Sequence, residues 1–203
     1  MWNSIPDGGP ERLVALADGV FAIALTLLVL DFSVPPDLPS HEYADALREL
    51  LPNLAAYALS VLVLGAFWRE NRRILGYVRQ VDGQLIGLSI LGLGVAALLP
   101  FPTKLLAEYG REPESVAVYA ATVAALGAAD LAVVLLLARR PWLRGPAGPP
   151  EGFRLYVLDL AVTVVVFVAS VPLALVYGSA AMWLWAAMAP IKVVIGRRSQ
   201  KAR

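Results

Sequence analysis

The sequence predicts an all-α integral membrane protein with six transmembrane helices in one domain spanning residues 1–203. Three observations predict it. Of 203 residues, 59% are hydrophobic and only 16% charged, too apolar a balance for an ordinary soluble domain. The apolar residues fall into six blocks, each near the length needed to cross a bilayer. The Lys and Arg residues collect in alternate connections between those blocks.

The blocks run over residues 13–30, 51–68, 85–99, 116–138, 155–177 and 180–195. Pro100 and Pro102 close the third block, and Pro190 divides the sixth. Turn punctuation lies between them: SVPPDLPS after the first, GREPES after the third, RRPWLRGPAGPPEG after the fourth. Residues 41–49 are expected to form a short helix outside the membrane, because Tyr43, Ala44 and Leu47 share a face. The leader MWNSIPDGGPER has one basic residue against two acids, and Asp18 interrupts the apolar run. The first block is therefore expected to stay as a membrane helix rather than act as a cleaved signal.

With an inner amino terminus and six spans, fourteen of the 17 Lys and Arg residues lie inside, and only Arg48, Lys104 and Arg111 lie outside. Both termini are thus expected in the cytoplasm. Adding or removing a middle span would put the Arg139 cluster opposite the Arg69 cluster. The tail GRRSQKAR reads as an orientation signal meeting anionic lipid rather than as a nucleic-acid site.

Composition also limits the chemistry. Cysteine is absent and His41 is the lone histidine, so common zinc sites and histidine-activated nucleophiles cannot be assembled. No cofactor and no enzymatic activity are expected. GLGVAALLP lacks the Lys and Ser/Thr of a phosphate loop and reads as close helix packing. Asp18, Asp130 and Asp159 stand inside apolar helices, where a charge is costly and usually faces protein or water. They suit a proton relay or cation vestibule; the alternative is pairing with Arg or capping helix ends.

At about 100° per residue, Ile23, Thr26, Leu27 and Leu30 share one side of the first helix, with Arg12 near it. Asp18 points away and is better placed to hold neighbouring helices, and Leu28 falls on another side. Taken alone, this stripe is ordinary lipid-facing or core surface.

The stretch Arg12-Leu13-Val14-Ala15-Leu16-Ala17-Asp18, followed by GVFAIALTLLVLDF, resembles the first-helix signature of the bacterial branch of the endolysosomal potassium channel family called transmembrane protein 175. That signature is Arg, three residues, then Phe-Ser-Asp; Arg12 and Asp18 match, while Leu16 and Ala17 replace Phe and Ser. GAFWRENRR keeps the family's Phe-Trp as Phe67 and Trp68, with Asn71 and Arg72 in place of a histidine pair. Leu99 to Thr103, LPFPT, follows the family pattern. The last three helices agree only in number and hydrophobicity.

The resemblance implies a homotetramer of six-helix subunits in a bacterial plasma membrane, conducting potassium passively through a central pathway lined by the first helices. No TVGYG-like filter sequence is present. It places Ile23 at an apolar constriction, Leu27 and Leu30 further along the same face, and Thr26 as a cation-contacting hydroxyl. Arg12, Asp18, Trp68 and Asn71 would form a supporting polar network. The alternative function is a proton-coupled or cation-coupled secondary transporter, suggested by Asp130 and the proline-interrupted helices.

Overall fold

The computed structural model describes residues 8–145, 153–182 and 184–185. Most of the sixth apolar block, including Pro190, lies outside these residues, as do Lys192, Arg197, Arg198, Lys201 and Arg203 of the tail. The described residues are helical, in the order α1 (Glu11–Leu27), a 3-10 turn (Leu28–Asp31), α2 (Ser40–Glu49), α3 (Leu51–Leu75), α4 (Gly83–Leu98), α5 (Pro100–Glu108), α6 (Pro113–Arg139), a 3-10 turn (Pro141–Leu143), α7 (Phe153–Tyr177) and a 3-10 turn (Gly178–Ala181). Five stretches among them are long and apolar enough to cross a membrane: Glu11–Leu30, Glu42–Leu75, Gly83–Glu108, Pro113–Arg139 and Tyr156–Ala181.

The helix boundaries follow local chemistry. Asp82 caps α4 by accepting a hydrogen bond from the Leu85 amide at 2.8 Å. Pro113 stands in the first turn of α6, where a missing amide proton costs nothing. The same rule explains where the helical path departs from expectation at Pro100. Rather than ending the third block, Pro100 sits in the first turn of α5, and the chain continues as one 26-residue stretch from Gly83 to Glu108. The second block also runs further than its apolar residues suggest, because Arg69 to Arg73 continue α3 as a polar final turn and a half.

Helix α6 is the centre of the bundle. It is apolar on nearly all sides and buries residues on every face, including Val116, Tyr119, Val123, Leu126, Val133 and Leu137. It packs along α7, α4, α5 and α3, while α1 rests on α3 and α4. Two glycines allow close approach. A Cβ on Gly92 of α4 would meet the Ala129 Cβ at 3.1 Å, and one on Gly127 of α6 would meet Val164 Cγ2 at 3.2 Å.

One end of the bundle gathers the arginine-rich connections. Arg140 pairs with the fully buried Asp82 and donates to Gln84 Oε1 at 2.6 Å. Arg144 donates to the Leu137 and Ala138 carbonyls at 2.7 and 2.9 Å, satisfying the end of α6. Backbone hydrogen bonds from the Arg79 amide to the Leu143 carbonyl and from the Gly145 amide to the Tyr77 carbonyl tie the two loops together, and the Val81 amide donates to the Gly8 carbonyl. The basic residues in the first turn of α1, at the end of α3 and in the loops after α3 and α6 thus share one end.

Candidate functional site

Helix α1 divides cleanly into two faces. Leu13, Ala17, Phe21, Ala24 and Leu28 are buried against the bundle. The opposite side carries large apolar side chains that the subunit leaves uncovered: Ile23 is 61% exposed, Leu27 40% and Leu30 71%, and Thr26 is exposed beside them. Leu28 is 2% exposed and belongs to the core, so it cannot serve as a neutral position for comparison with this stripe.

The end of α1 refines the stripe. From Leu28 the backbone tightens to a 3-10 turn, in which residues three apart nearly eclipse. Leu30 therefore sits almost directly over Leu27, closer in angle than uniform α-helical winding gives. Thr26 Oγ1 donates to the Ile23 carbonyl at 2.8 Å. Its proton is thereby committed to the backbone, and the oxygen lone pairs are what the hydroxyl presents outward.

Asp18 is held from α3 through both carboxylate oxygens. Trp68 Nε1 donates to Oδ1 at 2.8 Å and Arg72 Nη1 donates to Oδ2 at 3.0 Å. The Arg72 guanidinium also lies over the Trp68 ring, 5.6 Å from its centroid. Trp68 and Arg72 are four residues apart and so share a face of α3. The Arg72 and Asp18 side chains are 50% and 37% exposed in the subunit, which limits the ion pair alone to about 1 kcal/mol; the indole bond to a charged acceptor adds more.

The sequence grouped Arg12, Asp18, Trp68 and Asn71. The structure brings Asp18 and Trp68 together and adds Arg72, which the sequence reading noted only as a replacement for histidine. Arg12 is exposed on the first turn of α1. Asn71 turns instead toward α6, within hydrogen-bonding reach of Asp130. The three aspartates separate in the same way: Asp18 joins α1 to α3, Asp130 is buried on α6 and Asp159 is partly buried on α7.

A third polar group escaped the sequence reading. Ser60 Oγ lies 2.8 Å from Thr103 Oγ1 and 3.0 Å from the Tyr119 hydroxyl, and Thr103 donates to the Leu99 carbonyl at 2.8 Å. A carbonyl only accepts, so the proton directions are fixed: Tyr119 donates to Ser60, Ser60 to Thr103, and Thr103 to Leu99. This chain joins α3, α5 and α6 across the Pro100 junction. Small hydroxyls in otherwise apolar helices were the available signal. No group of three or more His, Asp or Glu side chains suited to a metal ion occurs among the described residues.

Comparison with known proteins bears on the family and the fold. The sequence profile described as endosomal/lysosomal potassium channel TMEM175 matches residues 12–100, a segment that contains the α1 stripe and the Asp18 contacts. A potassium channel of Streptomyces collinus is 40% identical over 139 residues, covering 66% of this chain and 68% of that protein. A potassium channel of Chamaesiphon minutus is 36% identical over 106 residues, covering 51% of this chain and 52% of that protein, so the match spans only about half of it. The crystal structure of a lysosomal potassium-selective channel TMEM175 homolog from Chamaesiphon minutus has the same fold. It superposes with a TM-score of 0.78 at 24% identity, over 93% of this chain and 97% of that one.

Proposed function

The chain belongs to the TMEM175 potassium channel family, and from that premise we propose that it forms a homotetrameric, potassium-preferring cation channel in a bacterial plasma membrane. Each subunit contributes six transmembrane helices, the sixth formed by the block at 180–195, and both termini are cytoplasmic.

One observation carries the reading: α1 leaves Ile23, Thr26, Leu27 and Leu30 uncovered on one face while its other face is packed into the subunit. Four such helices around an axis place Ile23 in an apolar ring, with Leu27 and Leu30 as further barriers. Apolar rings limit conduction by excluding water, and a hydroxyl oxygen from each Thr26 offers partial replacement of the hydration shell. The mechanism is passive, with ions following their electrochemical gradient. Asp18 takes no part in contacting the ion; through Trp68 and Arg72 it fixes the pore helix against α3. Arg12 supports the entrance of the same helix.

Purified protein in liposomes tests the function. Potassium currents that rise with driving force, do not saturate at low ion concentration and exceed sodium currents are expected. Voltage-independent flux saturating at low substrate would identify a secondary transporter, and absence of flux would remove the channel reading.

A further inference from the structure

We propose that the loop after α6, from Arg139 to Leu143, together with Arg79 of the loop after α3, is a docking surface for anionic phospholipid headgroups, separate from the carboxyl-terminal tail. The surface requires that the chain cross a bilayer and does not depend on conduction through it. The apolar run over residues 116–138 of α6 is about 34 Å long at the α-helical rise, slightly more than a hydrocarbon core of roughly 30 Å. Arg139 and the turn beyond it therefore stand at the level of the headgroups. With the topology proposed above, these belong to the cytoplasmic leaflet.

The turn holds one large apolar side chain outward. Pro141 opens the 3-10 turn Pro141–Leu143, and the Leu143 and Arg144 amides donate to the Arg140 and Pro141 carbonyls, both at 3.1 Å. The residues around Trp142 are fastened inward: Arg140 to Asp82 and Gln84, Leu143 fully buried, and Arg144 to the Leu137 and Ala138 carbonyls. Trp142 itself is 54% exposed. With both flanks fixed, the indole cannot turn inward without giving up these contacts. Its exposure is unfavourable in water, whereas at the membrane boundary the ring meets apolar material and the N–H meets wet headgroups.

Charge supplies the selectivity. The 2.8 Å hydrogen bond from the Arg79 amide to the Leu143 carbonyl sets Arg79 beside this turn, with its Cβ 3.9 Å from the Cβ direction of Gly145. Arg79 and Arg139 are exposed, and neither guanidinium has an ion-pair partner among the described residues. Arg72 and Arg140, at the same end, are already paired with Asp18 and Asp82. Trp142 thus has one uncompensated arginine three positions before it and another across the loop contact. The guanidinium fork matches phosphate oxygens. A zwitterionic headgroup brings its own cation, whereas an anionic one brings the net charge that these arginines lack.

Thermal unfolding of the purified full-length protein in neutral detergent tests the surface, titrated with phosphatidylglycerol, with phosphatidylcholine of the same acyl chains, or with inorganic phosphate, at constant ionic strength and pH. Wild type should be stabilised saturably by phosphatidylglycerol, at lower concentration than by phosphatidylcholine, and not by phosphate. Each arginine should change the apparent affinity about fivefold, so Arg79→Gln with Arg139→Gln should raise the phosphatidylglycerol midpoint roughly twentyfold and leave that of phosphatidylcholine in place. Trp142→Ala should weaken both lipids, because the indole acts whatever the headgroup charge. Arg48→Gln, at the other end of the bundle and already paired with Asp45, should titrate as wild type does. The proposal is overturned if the two lipids act alike on wild type, if the double variant keeps the wild-type midpoint, if Arg48→Gln shifts as far as the double variant, or if inorganic phosphate replaces the lipid, which marks a free-anion site. Loss of assembly in Trp142→Ala with unchanged lipid midpoints overturns it too, by assigning the indole to a contact between subunits.

Discussion

The directed hydroxyl chain from Tyr119 through Ser60 and Thr103 to the Leu99 carbonyl makes a quantitative prediction about which of its members is costly to remove. Ser60 and Tyr119 are fully buried and Thr103 is 5% exposed, so water cannot take the place of a lost partner. Tyr119→Phe deletes the first donor and strands no proton: Ser60 still donates to Thr103. Its cost should be the net value of one hydrogen bond, about 0.5–1.5 kcal/mol. Thr103→Val keeps the shape but leaves the Ser60 proton without an acceptor, and Ser60→Ala does the same to the Tyr119 proton. Each should cost about 1–3 kcal/mol for the unsatisfied donor in addition to the lost bond. For a chain of this size about 1 kcal/mol corresponds to roughly 2–4 °C in Tm. The double change Ser60→Ala with Tyr119→Phe removes both the stranded proton and its acceptor, and should be no less stable than Ser60→Ala alone. Thermal unfolding of the purified variants, followed by tryptophan fluorescence, provides the ranking; Trp185 lies 5.3 Å from the Tyr119 ring and reports locally. Additive losses in the double variant, or a Tyr119→Phe cost equal to that of Thr103→Val, would refute the proton directions.

Loss of the Asp18 carboxylate by Asp18→Ala should lower the recovered fraction of tetramer in size-exclusion chromatography without changing ion selectivity in whatever tetramer remains. Trp68→Phe should be more damaging than Arg72→Gln, because the indole bond survives where the half-exposed ion pair is screened; a larger loss in Arg72→Gln would show that the ion pair dominates. At the basic end, Arg140→Met should destabilise by about 3 kcal/mol or more, since it leaves the Asp82 carboxylate buried and unpaired, and the shift in Tm should clearly exceed that of Arg72→Met. Single cysteines introduced at positions 72 and 144 should resist an impermeant reagent added outside intact cells, while one at position 37 should react; the reverse pattern would invert the topology.

Hydropathy and turn chemistry made most of the fold legible. Five of the six blocks correspond to apolar helical stretches, and the short amphipathic segment appears as α2, Ser40–Glu49. What hydropathy could not show was continuity through Pro100, because a proline that ends one helix is equally suited to the first turn of the next. The polar contacts were harder to read. The wheel separated the two faces of α1, since burial on a helix follows its period. It could not say which neighbour Asp18 meets, because that depends on how α1 packs on α3. The four-residue spacing of Trp68 and Arg72 was visible in the sequence, yet Asn71, one position away, points to a different helix. Ser60, Thr103 and Tyr119 lie 43 and 59 residues from first to second and from first to third partner, and only the packing of α3, α5 and α6 joins them.

The pore assignment is tested most directly by ion flux through Ile23→Asn in tetramers reconstituted into liposomes, with Leu62→Asn as the comparison. Leu62 is equally apolar and 73% exposed but lies on α3, away from the proposed pore face. A polar ring stays hydrated more readily than an apolar one. Ile23→Asn should therefore raise potassium flux and reduce the preference for potassium over sodium, whereas Leu62→Asn leaves both as in wild type. Unchanged flux and selectivity in correctly assembled Ile23→Asn, with altered conduction in Leu62→Asn, would contradict a central pathway lined by α1.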